Sequence, residues 1–111
     1  MLNETFRVED GMLVRAVIPE RGTPYEHRCP LAAYEEIAHA IDAMGDERSS
    51  LENLVARTKL PHTQVNTAFA FMKERGCVVP AHKRRQKAAS NFVFEDAMIE
   101  YHALREGDQD A

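Results

Sequence analysis

A chain of 111 residues with a formal net charge of −4 has room for one hydrophobic core and too few residues for two. Its 44% hydrophobic and 29% charged residues exclude the disordered, collagen-like and disulfide-scaffold classes. The longest apolar run, Ala68 to Met72, is far too short for a membrane helix, and Met1-Leu2-Asn3-Glu4 lacks the character of a signal peptide. With only Cys29 and Cys77 as thiols, a cytoplasmic protein with no membrane partner is expected.

Charge is unevenly spread. Between Arg57 and Lys87 eight basic residues stand with one acid, Glu74, leaving six basic and 17 acidic residues elsewhere. A basic segment on an acidic body favours a polyanionic partner; the plainer reading is a solvated face ion-paired within the molecule.

Thr5 to Ile18 reads as a hairpin, because Asp10-Gly11 suits a type I′ turn between Phe6-Arg7-Val8 and Met12 to Ile18. Pro19 to Pro30, with Gly22, Pro24 and Pro30, reads as a connector. A first helix opens near Pro30, buries Leu31, Tyr34, Ile37, Ala38 and Ile41, and closes at Gly45. A short second helix begins at Ser49, where Ser49-Ser50-Leu51-Glu52 has capping-box form, and ends near Thr58. After Lys59-Leu60, Pro61 opens a third helix that Gly76 ends. Its wheel places Ala68, Phe69 and Met72 within about 60° of Val65. Thr63, Thr67, Ala70 and Glu74 fall opposite, with Asn66 and Phe71 on the flanks.

Cys77-Val78-Val79 and Asn91-Phe92-Val93-Phe94 read as strands around the basic loop His82-Lys83-Arg84-Arg85-Gln86-Lys87. The final helix, about Glu95 to Arg105, has Ala97, Met98, Tyr101 and Leu104 on one face and Ile99 on another.

Leu54-Val55-Ala56-Arg57-Thr58-Lys59-Leu60-Pro61-His62-Thr63-Gln64-Val65 closely resembles the turn region of bacterial winged-helix regulators, nearest to the IclR and MarR types. Glu74-Arg75-Gly76-Cys77-Val78 matches the pattern that follows the third helix in the IclR type; the departures are Lys59, where that family usually has Gly, and the N-terminal hairpin, which its pattern does not require. The resemblance implies an α+β winged helix-turn-helix fold over residues 30–94, with a three-helix core and a two-stranded wing. Residues 1–29 then add a hairpin and connector, and residues 95–106 a C-terminal helix, all within one domain.

In such a fold the third helix lies in the major groove of duplex DNA. Thr63, Gln64, Asn66, Thr67 and Ala70 are then the base-facing residues, since Asn and Gln pair with adenine while Thr and Ala methyls meet thymine. Lys59, His62, Lys73, Lys83, Arg84, Arg85 and Lys87 are the phosphate-facing ones. The function implied is a small transcription regulator or chromosome-associated factor, acting as a homodimer through the C-terminal helix. The alternative is a protein-interaction module using Phe71 and the terminal elements.

His27, Cys29, Cys77 and His82 are the residue types of a zinc site, but no Cys-x2-Cys knuckle is present, so core thiols and surface histidines are the plainer reading. No phosphate loop, nucleophile elbow or His-Glu-x-x-His motif occurs, so no enzyme, metal or cofactor is expected.

Overall fold

Asp10 and Gly11 take φ values of 53° and 73° and turn the chain back between β1 (Asn3–Glu9) and β2 (Met12–Ile18). The structure is a computed structural model, and it describes residues 3–81 and 85–107. Beyond the hairpin come β3 (Tyr25–Pro30), α1 (Leu31–Met44), α2 (Leu51–Thr58), α3 (His62–Glu74), β4 (Val78–Pro80), β5 (Gln86–Ala88) and α4 (Val93–Gly107). The fold is α+β, with four helices and two small antiparallel sheets, β1-β2-β3 and β4-β5, among the described residues.

Three expectations need correction. The connector contains a strand: β3 pairs along β2 from Tyr25 opposite Val17 to Pro30 opposite Met12. Pro30 can end it because β3 is an edge strand with β2 as its one partner in the sheet. Asn91 to Phe94 is not a strand, because α4 begins within it, at Val93. Just before the helix the Ser90 hydroxyl accepts from the Phe92 N–H at 3.0 Å and donates to Asp96 Oδ2 at 2.7 Å, and the Asp96 N–H donates to the Phe92 carbonyl. The partner of β4 is β5 instead, which brings Lys87 out of the expected loop and into a strand.

The cap of α2 also moves by one residue. Ser50 Oγ accepts from the Asn53 N–H and Asn53 Oδ1 accepts from the Ser50 N–H, both at 3.2 Å. Ser49 is unavailable, since it is buried and its backbone bridges to Gln86.

The sheet β1-β2-β3 has two different faces. Val8, Leu13 and Cys29 form one cross-strand row and Phe6, Arg15 and His27 the next, on the face turned to the helices. On the other face Val14 lies between Arg7 and Arg28 and is fully buried beneath their stems. Arg7 bonds Glu26 at 2.9 Å and Glu9 at 3.4 Å, and Arg28 bonds the same two carboxylates at 3.2 and 3.3 Å. Hydrogen bonds from Arg7, and secondarily Arg28, hold both carboxyls below the usual range.

A chain of rings joins the layers. Phe6 is 5.2 Å from Phe71, Phe71 is 6.1 Å from Tyr34, and Tyr34 is 5.6 Å from Tyr101. The Tyr34 hydroxyl donates to the Ala97 carbonyl at 2.6 Å, tying α1 to α4. Burial and the nearby thiols and Glu100 raise its pKa, so the hydroxyl keeps the proton that this bond needs.

Candidate nucleic-acid interface

Lys59 ends α2 in the left-handed conformation, φ 60° and ψ 22°, with its N–H donating to the Val55 carbonyl at 2.8 Å. Leu60 and Pro61 complete the turn, and Pro61, with φ −57°, starts α3 by accepting from the N–H groups of Gln64 and Val65. At the other end Gly76 (φ 75°) allows the Cys77 N–H to reach back to the Met72 carbonyl at 2.9 Å, which stops the helix.

The exposed side of α3 is narrower than its wheel implies. His62, Thr63, Lys73 and Glu74 are exposed, and Asn66 and Ala70 are half-buried beside them. Gln64 is half-buried as well, but two residues from Asn66 means roughly 160° around the helix, so the two amides do not share one approach. Thr67, expected among the base-facing residues, is fully buried, and its hydroxyl donates to the Thr63 carbonyl at 2.8 Å. It does not reach a groove.

Phe71 is the second correction. It is fully buried between Phe6 and Tyr34, with the Arg75 guanidinium 4.9 Å from its ring centre, so it offers no surface to a partner. Both corrections have one cause. The wheel assumed one packed side for α3, whereas β1-β2-β3 covers a second one.

That sheet also brings a residue to the site that sequence reasoning missed. Arg15 and Glu4 join Asn66, Ala70, Lys73 and Glu74 around an open groove of about 490 Å³, and Arg15 Nε donates to Glu4 Oε2. The signal was present in the hairpin's alternation: Arg15 sits between Leu13 and Val17, at an inward position where an apolar residue is expected. Lys73 is held over the Phe69 ring, its Nζ 4.9 Å from the centre.

The remaining basic residues form a separate surface. Arg85 lines a different cleft, with Arg48 and Arg57, and Lys87 is exposed on β5. Lys83, Arg84 and His82 lie outside the described residues.

Cys29 and Cys77 are buried, free thiols; burial pushes the first up to about 12 and the second up to about 11. Both are therefore neutral at pH 7 and poor nucleophiles. No group of three or more His, Cys, Asp or Glu side chains placed to hold a metal occurs among the described residues. None of their helices is long and apolar enough to cross a membrane. No protein-family model, curated protein or solved structure matches this chain.

Proposed function

We propose that this chain is a winged-helix protein that binds duplex DNA, as a small transcription regulator or chromosome-associated factor, and that it performs no catalytic step. One observation carries the reading. The Ser49 N–H donates to the Gln86 carbonyl at 2.7 Å and the Gln86 N–H donates to the Ser49 carbonyl at 2.8 Å. A strand-like residue between α1 and α2 thus pairs with β5, which in turn pairs with β4. Three helices followed by a two-stranded hairpin is the arrangement implied by the resemblance around Leu54 to Val65, and the bridge at Ser49, which that resemblance does not include, ties the hairpin to the helices.

In this reading α3 enters the major groove, where Thr63, Asn66 and Ala70 meet base edges. Lys59, His62 and Lys73 flank them and meet phosphates. Glu74 and the Arg15–Glu4 pair border the same face. One reading helix covers few base pairs, so a two-fold homodimer is part of the proposal. The exposed Ile99 on α4 and Phe92 just before it favour that dimer over an interaction module built on Phe71.

The test is titration of a random duplex at several salt concentrations. Binding is expected to weaken with salt, and Lys59→Ala with Lys73→Ala is expected to flatten the log–log slope by about 1.8, roughly 0.9 per lost phosphate contact. Absence of duplex binding at low salt, or a slope that the double variant leaves unchanged, overturns the reading.

A further inference from the structure

Three guanidinium groups from three separate segments line one open cleft of about 650 Å³: Arg48 from the α1–α2 loop, Arg57 from α2 and Arg85 from the approach to β5. We propose that this cleft binds a phosphate group, and that the ligand is a phosphodiester of the DNA backbone. The identity of the ligand rests on the DNA-binding reading above; the chemistry of the cleft does not.

The backbone explains why these side chains converge. Ser49 and Gln86 form an antiparallel bridge, so residues 48 and 87 are neighbours in register, as are 50 and 85. Ser49 is buried; the alternation therefore sends Arg48, Arg85 and Lys87 to the opposite face. The four peptide N–H and C=O groups of Ser49 and Gln86 satisfy one another at 2.7 and 2.8 Å, which holds the two basic segments in place without help from their side chains.

Charge is in surplus there. Asp46 and Glu47 line the same cleft, but the ion pair formed, Arg57 to Glu47, is long at 3.9 Å with both side chains exposed. Among the described residues neither Arg48 nor Arg85 is paired with a carboxylate. Guanidinium forks match the paired oxygens of a phosphate, and an open cleft suits a group carried on an extended strand better than an enclosed metabolite. The cleft shares no lining residue with the groove beside α3, so a backbone seated in it extends the footprint beyond the reading helix.

Two variants of the full chain test this, Arg48→Ala with Arg57→Ala, and Glu47→Gln. The first is expected to flatten the salt slope for a random duplex by about 1.8. The second is expected to tighten binding about threefold by removing a competing surface charge, with an unchanged melting temperature in both. A merely structural role for the arginines predicts no gain from Glu47→Gln. A wild type that binds the duplex while both variants match it overturns the cleft and leaves the DNA-binding reading standing. The second arm is a titration with inorganic phosphate, followed through the Arg side-chain N–H resonances. No duplex binding, but shifts at Arg48, Arg57 and Arg85, overturns the phosphodiester and the DNA-binding reading together and assigns the cleft to free phosphate. Neither duplex binding nor shifts overturns both proposals.

Discussion

Lys59 is one of two non-glycine residues with positive φ among the described residues, the other being Asp10 in its hairpin turn. A side chain in the left-handed region costs about 1 kcal/mol. Lys59→Gly is therefore expected to raise stability by about 0.5–1 kcal/mol in chemical denaturation, after allowance for the freer unfolded chain. In the DNA-binding reading the same change removes one phosphate contact. A variant of lower stability would show that the lysine stem contributes packing that outweighs the strain. Individual side chains were the least legible level of the molecule. The wheel of α3 identified Val65, Ala68, Phe69 and Met72 correctly as buried, yet left Thr67 and Phe71 outside the core. A wheel measures angles around one helix and is blind to a sheet built from the first strands of the chain. Phe6 contacts Phe71 at a sequence separation that no local pattern encodes.

At the level of elements, the well-signalled ones had local causes. The Asp10-Gly11 turn, the 3.6-residue stripe of α1 and the Gly76 stop of α3 depend on a few consecutive residues. The missed ones depended on partners. Tyr25 to Pro30 is rich in charge and ends in proline, and it is a strand because β2 offers it a ladder. Phe92-Val93-Phe94 favours a strand by composition, but the Ser90 turn, tied to Asp96, leads the chain into a helix instead. The adjacent serines before α2 make the same point in a testable way. Ser50→Ala is expected to cost about 1 kcal/mol in thermal or denaturant unfolding, since it deprives the Asn53 N–H of its partner. Ser49→Ala keeps the backbone bridge and gives up only a long 3.4 Å contact from its hydroxyl to the Gln86 carbonyl, so its effect should be smaller. The reverse order would place the cap at Ser49.

For the molecule as a whole, the unassigned question is what covers α4. Its inner stripe, Ala97, Tyr101 and Leu104, is buried against the rest of the fold. Phe92, at the helix start, and Ile99 are 64% and 62% exposed. Phe92 immediately precedes the helix and Ile99 lies in its second turn. On the side of Ile99, Glu95 stands in the first turn, whereas Arg105 of the last turn lies about 120° away from Ile99 and is paired with Glu106. A second copy packed antiparallel would oppose the two helix dipoles and bring the Ile99 side chains near the two-fold axis. The same symmetry would present two copies of α3 to the duplex, which the DNA-binding proposal requires. Light scattering on the full chain is expected to give a dimer, and Ile99→Glu a monomer, because each charge would be buried against its like at the axis. The exposed site should leave the melting temperature of the protomer little changed. A wild type that stays monomeric at tens of micromolar would remove the dimer. A dimer indifferent to Ile99→Glu would move its interface off α4, and the two surfaces carrying α3 would then need another axis to meet one duplex.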